Sequence, residues 1–433
     1  MPRPSVSAQP VVPARSRSRF RALALICIAT SLNYLDRAVI GVAAPAITQE
    51  LSITPTQMGI VFSAFSWTYA FCQIPGGVVL DRLGTKITYT LSLGLWSLFA
   101  LLHGTATGVV SLVAMRLALG VAEAPCFPTN SKVLSTWFPQ QERARATSAY
   151  AVGQYAGLAF FSPVLFWIVM TWGWRSLFVI CGAIGIVYAG IWYALYRDPQ
   201  HSSRVNAAEL EYIRAGGAVS STEKPVPFSW RNVRTLLGRR QIIGAAIGQF
   251  CSNSTLVFFL TWFPTYLATE RHMNWVTSGV YSIMPFLCAS AGVILGGVLS
   301  DAIIMRTGSA NWGRKLPIII GLLLASMIVL ANFVNGDRLV IGIMSIAFLG
   351  QGMGNLGWTL VSDISPRSMF GLTGGIFNFC TNLSGITTPI IVGLILAGTG
   401  SFYSALAFIA LLALLGALTY IFVIGDVHRL EIE

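Results

Sequence analysis

The sequence predicts an all-α membrane protein of twelve transmembrane helices in two six-helix bundles, with both termini in the cytoplasm. Three observations carry this expectation. First, 55% of the 433 residues are apolar and only 10% are charged, with mean hydropathy +0.69. A soluble domain ordinarily carries about 25% charged residues, so its surface could not be covered by so few. Second, twelve helices of about 20 apolar residues need about 240 positions, and the apolar fraction supplies roughly that many. Third, the basic residues are unevenly placed. Of 28 Lys and Arg, three (Arg175, Arg271, Arg338) fall on one side and two (Arg37, Arg116) inside spans. The rest lie in the opposite loops and termini, which is the positive-inside pattern. The net charge of +12 therefore orients the chain and does not mark a nucleic-acid surface. Soluble enzymes, secreted disulfide scaffolds and disordered regulators are excluded.

The elements follow in order. Residues 1–21 form a Pro-, Ser- and Arg-rich cytoplasmic tail leading directly into an apolar span. That span lacks a cleavage signal of the usual kind and many more follow, so it is expected to be a retained helix. Apolar runs bounded by polar turns place spans at 22–46, 57–80, 87–105, 108–134, 144–169 and 174–196, then 241–267, 276–300, 316–334, 339–362, 371–397 and 402–424. The N-terminal bundle is thus 22–196, the C-terminal bundle 241–424, and 425–433 a cytoplasmic tail. Between the bundles, 197–240 is a charged stretch expected to be cytoplasmic, with a short surface helix over Ala207–Ala215. The seven cysteines are dispersed in apolar runs without a C-x-x-C pair, so they read as small core residues and predict no metal site or disulfide framework.

The two halves carry a faint repeat. Gly76-Gly77-Val78-Val79-Leu80-Asp81 is echoed by Gly296-Gly297-Val298-Leu299-Ser300-Asp301 at an offset of 220 residues. Parallel repeats of six spans are the layout of the major facilitator superfamily, with a substrate site between the halves. The loop Gly77-x-x-x-Asp81-Arg82-x-Gly84-x-Lys86 resembles that superfamily's signature between its second and third helices. There Gly77 would allow close helix approach, Asp81 would cap or pair across a helix end, and Arg82 and Lys86 would sit at the cytoplasmic face. The role is a gate clasp; the plainer alternative is a generic basic turn. The second copy is degraded, since Asp301 is followed by Ala302.

Charges inside spans are costly and normally face a cavity. Four stand here: Asp36 and Arg37 in the first span, Arg116 and Glu123 in the fourth. Arg116 and Glu123, seven residues apart, share one helix face. Arg37 offers a planar fork suited to a carboxylate, while Asp36 points about 100° away around the helix. A partly desolvated carboxylate in such a cavity is a candidate proton carrier. The alternative is that all four form buried structural ion pairs. Neutral polar and aromatic groups accompany them, among them Asn33, Tyr34, Tyr69, Gln154, Gln249, Asn253, Ser254, Trp358, Thr359, Ser362, Asn378 and Asn382. Each alone is as well explained by an interhelical hydrogen bond; together they favour a hydroxyl-rich ligand.

The segments Ser31–Arg37 and Glu123–Asn130 resemble the anion:cation symporter branch of the major facilitators. So do Phe62–Trp67, Gln73–Gly77, Trp137–Pro139, Thr261–Pro264 and Gly371–Asn378, in register from about residue 22 to 430. The pattern is similar to the branch's bacterial D-galactonate:proton symporters, with glucarate/galactarate carriers next. The resemblance implies that Arg37 binds the substrate carboxylate, with Tyr34, Tyr69, Gln154, Trp358, Thr359 and Asn382 around the sugar-acid chain. Asp36 and Glu123 would carry protons, and Arg116 would pair with an acid between proton states. The expected activity is proton-coupled import of a sugar-acid anion across the bacterial inner membrane by alternating access. The protein would be a monomer with no cofactor, no metal and no nucleic-acid partner. A hexonate is preferred over a hexarate because Arg116 is the only other cation at membrane depth and two acids compete for it. A second substrate carboxylate among Gln154, Asn378, Asn382 and Ser362 would then stay unneutralised. The rivals are a hexarate symporter, an efflux antiporter, a transporter-like sensor signalling through 197–240, and a membrane-embedded enzyme.

Overall fold

The computed structural model describes residues 15–218, 229–366 and 369–431, and the regular elements within them are helical. The first tail up to residue 14, and Glu223 and Lys224 of the central stretch, lie outside the described residues. Helix α1 runs Ser18–Leu51 and starts four residues earlier than the apolar pattern alone suggests. The reason is local. The backbone N–H groups of Ser18 and Arg19, which a helix start leaves without partners, donate to the Glu209 carboxylate. At the other end Ser52 adopts a left-handed conformation. Thr54 and Gln57 then form a reciprocal capping box, with Pro55 in the first turn of α2 (Pro55–Leu102).

At 48 residues α2 would be about 72 Å long, far beyond one bilayer crossing. It is broken at Gly84, whose φ of 75° and ψ of 167° no ordinary residue adopts comfortably. Helices α3 (Val109–Glu123) and α4 (Cys126–Trp137) are separated by Ala124 and Pro125. Helix α5 (Gln140–Leu195) repeats the pattern of α2, with a break at Gly173, φ 79°. The expected helix at Ala207–Ala215 is present as α6, capped by Asn206. It is docked rather than free on the surface, because Glu209 and Ile213 are buried. A second short helix, α7 (Trp230–Leu237), was not expected from the sequence pattern.

The C-terminal half continues with α8 (Arg240–Thr261), α9 (Trp275–Thr307), α10 (Ala310–Ser326), α11 (Asp337–Gly354), α12 (Gly357–Ile364), α13 (Phe370–Thr399) and α14 (Tyr403–Leu418). Asn274 and Ser309 cap α9 and α10, and left-handed Gly308 and Gly400 end α9 and α13. Counting α3 with α4 and α11 with α12 as single interrupted runs, ten helices among the described residues are long and apolar enough to cross a membrane.

The N- and C-terminal helices meet along three seams: α5 on α9, α2 on α13 and α1 on α8. The contacts tighten toward one end. A Cβ on Gly41 would collide with the backbone carbonyl of Leu260, one on Gly59 would lie 2.6 Å from that of Pro389, and one on Gly393 equally close to that of Pro55. Phe62 stands edge-on to Trp262 at 5.1 Å, and the Trp262 indole donates to the Pro389 carbonyl at 3.2 Å. That end carries the ion pairs Arg175–Glu50 and Arg271–Asp337. Toward the opposite, arginine-rich end, Gly371, Gly374 and Gly375 of α13 face open space.

Candidate functional site

Arg37 lies midway along α1. Its guanidinium donates through Nε to Oε1 of Glu123 at 2.8 Å, and through a second nitrogen to the same oxygen. Glu123, the last residue of α3, is fully buried, and its Oε2 has no hydrogen-bond partner among the described residues. Four rings surround the guanidinium: Tyr69 at 4.7 Å, Phe65 at 4.9 Å, Tyr34 at 5.3 Å and Phe127 at 5.8 Å. Such faces attract a cation while excluding water. The pair has one unpartnered carboxylate oxygen and an aromatic enclosure, which suits exchange of one carboxylate for another on Arg37.

Asp36 points elsewhere, as the helical geometry requires. Its Oδ2 accepts the Trp96 indole N–H at 2.9 Å, and both groups are buried. Arg116 is only 4% exposed, makes no ion pair among the described residues, and leaves its Nε without a partner. Its guanidinium stacks over Phe65 at 5.1 Å, the ring that also faces Arg37. In this conformation neither acid forms an ion pair with Arg116 among the described residues. Glu123 is taken by Arg37 and Asp36 by Trp96, because rotation of α1 and α3 brings the cross-helix pair together rather than the pair within α3.

The other predicted residues are partly gathered. Tyr34 and Tyr69 belong to the ring enclosure. Gln154 is buried beside Tyr155. Asn378 donates to the side-chain Oε1 of Gln73 on α2, and Asn382 donates to the Asn378 backbone and side-chain oxygens at 2.8 and 3.1 Å. On α12, Trp358 stands edge-on to Phe377 at 4.8 Å, and Ser362 donates to the Trp358 carbonyl of its own helix. Thr359 sits between them on the same short helix. Among the described residues, none of these three hydrogen-bonds to Arg37. Of the wider polar set, Asn253 donates to Ser384 and to the Thr381 carbonyl, an interhelical role.

The clasp loop departs from expectation at one glycine. A Cβ on Gly77 would meet nothing within 4 Å; the close approach belongs to Gly76, where it would lie 3.1 Å from Pro125. The repeat holds in this detail, since Gly296 packs at 3.1 Å on Met353 while Gly297 is open. Asp81 pairs with Lys132 of α4 at 3.2 Å, Arg82 is exposed, and Lys86 lies 4.0 Å from the Tyr193 ring. In the second copy Arg314 takes the basic role, 3.7 Å from Asp301 and 2.8 Å from Asp363. Phe65, Phe127 and Tyr155 lie in stretches that carry the resemblance but had no role assigned, and Trp96, Lys132, Gln351 and Asn355 were not singled out from the sequence. Gln351 and Asn355, being polar residues in an apolar span, carried the one signal that could have found them.

Apolar helices crossing a membrane around a buried arginine–carboxylate pair define a polytopic helical transporter rather than an enzyme. The pattern of the Major Facilitator Superfamily matches residues 26–355, and the chain belongs to that family. It is 42% identical over 435 residues to the probable galactarate/D-glucarate transporter GudP of Escherichia coli (strain K12), covering 98% of this chain and 97% of the relative. It is 43% identical over 418 residues to the D-galactonate transporter of Escherichia coli O6:H1, covering 95% and 97%. In fold it is similar to the crystal structure of a bacterial homolog to human lysosomal transporter Spinster in inward-facing and occupied conformation. The TM-score there is 0.71 at 18% identity, covering 93% of this chain and 96% of that one.

Proposed function

We propose that this chain is a proton-coupled symporter that imports a sugar-acid anion, a hexonate such as D-galactonate, across the bacterial inner membrane. The observation that carries the reading is the Arg37–Glu123 pair within its ring enclosure. A substrate carboxylate is the natural competitor of Glu123 for the guanidinium fork. Protonating Glu123 weakens its hold on Arg37, so proton and substrate arrive together, and losing the proton drives the substrate off. Asp36 is the second proton carrier, and Arg116 holds positive charge near both acids. The relatives' names, which cover a galactonate and a galactarate/glucarate transporter, support the sugar-acid class.

The same reading divides the chain into two six-helix bundles, 22–196 and 241–424, joined by a cytoplasmic stretch. The breaks at Gly84 and Gly173 turn the two longest helices into two crossings each, which supports twelve crossings with cytoplasmic termini. Tight contact at the end bearing Arg175 and Arg271, with open space at the arginine-rich end, supports a cavity facing the cytoplasm. The protein works as a monomer without cofactor or metal, the coupling ion being the proton.

Uptake by the reconstituted full-length protein tests the proposal. Adding D-galactonate to lightly buffered, de-energised vesicles should alkalinise the outside medium, and accumulation should collapse when a protonophore is added. Accumulation that survives the protonophore would overturn proton coupling; no response to any aldonate or aldarate would overturn the sugar-acid reading.

A further inference from the structure

Tyr155 of α5 and Gln351 and Asn355 at the end of α11 come from opposite halves of the chain, yet they are joined by hydrogen bonds. The Tyr155 hydroxyl donates to Gln351 Oε1 at 3.2 Å and accepts from Asn355 Nδ2 at 3.2 Å. Tyr155 and Gln351 are each 1% exposed. The remaining donor of Gln351, its Nε2 amide, has no partner among the described residues. A buried amide N–H left without a partner is costly, and no neighbouring side chain among the described residues supplies one. Phe348, Gln351 and Asn355 repeat at helical spacing, so they share one face of α11. Phe348 stands edge-on to Tyr155 at 5.8 Å and stacks on Phe259 at 4.0 Å, closing the site on the side of the tight contacts.

Tyr34 links this cluster to the carboxylate anchor. Its ring lies 5.3 Å from the Arg37 guanidinium carbon and 6.5 Å from the Tyr155 ring. One aromatic ring thus separates a cationic pole from a neutral one. No Lys, Arg or His among the described residues bonds to Tyr155, Gln351 or Asn355. Arg37 is engaged by Glu123, and Arg116 lies over Phe65. A sugar hydroxyl both donates and accepts, so it can satisfy the Gln351 amide and replace a bond in the triad. A carboxylate there would find donors but no counter-charge, and would be left buried and unneutralised.

Building on the sugar-acid reading, we propose that Tyr155, Gln351 and Asn355 form a distal subsite that binds the hydroxyl-bearing end of the substrate and selects singly charged over doubly charged sugar acids. Competition against labelled D-galactonate, with the purified full-length protein, tests it. D-galactonate should compete at least about tenfold better than galactarate or glucarate, in line with the discrimination that built polar sites achieve. Gln351→Lys, or Asn355→Lys at the less buried neighbour, should move that ratio about tenfold toward the dicarboxylates. Tyr155→Phe, which keeps the ring and its packing, should weaken D-galactonate about fivefold. It should leave glycerate, which is too short to reach the distal pole, unchanged. A wild type that prefers dicarboxylates, or folded lysine variants with an unmoved ratio, would overturn the subsite while leaving a sugar-acid transporter. A wild type that binds no sugar acid at all would overturn the underlying reading instead.

Discussion

Arg37 and Glu123 are mutually dependent, which makes their substitutions informative about both folding and transport. Removing one partner strands the other as a buried charge, a loss of about 3–5 kcal/mol in comparable pairs. Arg37→Ala should therefore abolish substrate binding and also lower thermal stability. Adding Glu123→Gln to it should restore stability without restoring binding, a non-additivity that a double-mutant cycle in a thermal-shift assay reads directly. Arg37→Lys should recover little binding, since a point charge lacks the forked geometry that holds Glu123 Oε1 through two nitrogens. Glu123→Gln by itself imitates a permanently protonated carboxyl. That variant should still exchange substrate between the two sides of a vesicle but no longer concentrate it; retained uphill accumulation would remove Glu123 from the coupling mechanism.

Two glycines separate backbone strain from helix packing. Gly84 interrupts α2 at φ 75°, and a Cβ there would meet nothing within 4 Å. Gly84→Ala should thus cost only the backbone penalty, about 1–3 kcal/mol for a conformation that is essentially reserved for glycine, read as a fall in melting temperature with uptake largely kept. Gly41 has ordinary helical geometry, but its added Cβ would strike the Leu260 carbonyl of α8. Because that obstacle is backbone and cannot rotate aside, Gly41→Ala should push α1 and α8 apart at their tight end. Spin labels at Thr56 and Thr399 should report a longer distance, and transport should fall because the closed arrangement at that end is destabilised. An unchanged distance would mean that this seam is not part of the moving gate. At the same scale, the repeated loop packs through Gly76 and pairs Asp81 with Lys132 in the first copy, and packs through Gly296 and pairs Asp301 with Arg314 in the second. In both copies the base that pairs with the motif's aspartate stands outside the motif, on α4 in the first and on the helix that follows in the second.

Across the whole molecule the charges sort by end. The tight end pairs Arg175 with Glu50 and Arg271 with Asp337, so it is close to neutral. The opposite end holds most of the excess positive charge, together with α6. That helix is tied to the first helix by Arg19, which bridges Glu142 at 2.9 Å and Glu209 at 3.0 Å. On the positive-inside rule α6 is expected on the cytoplasmic side. In intact cells, a membrane-impermeant thiol reagent should label a cysteine at Thr399 and spare one at Ser203 until the membrane is permeabilised. The reverse result would invert the proposed topology and, with it, the proposed side on which the molecule opens.

The membrane class, the long apolar helices and the four expensive charges were readable in the sequence. Each rests on the cost of placing one residue in hydrocarbon, and that cost is written residue by residue. Asp36, Arg37, Arg116 and Glu123 stood out for that reason. Their partners did not, because pairing depends on how far each helix is rotated and tilted against helices distant in the chain. Only the tertiary structure could show that Arg37 reaches Glu123, that Asp36 takes the Trp96 indole, and that Gly76 rather than Gly77 makes the close approach. The meeting of Tyr155 with Gln351 and Asn355 is the extreme case. Local periodicity fixes which face of a helix each side chain occupies, but the packing of the two halves decides what that face meets.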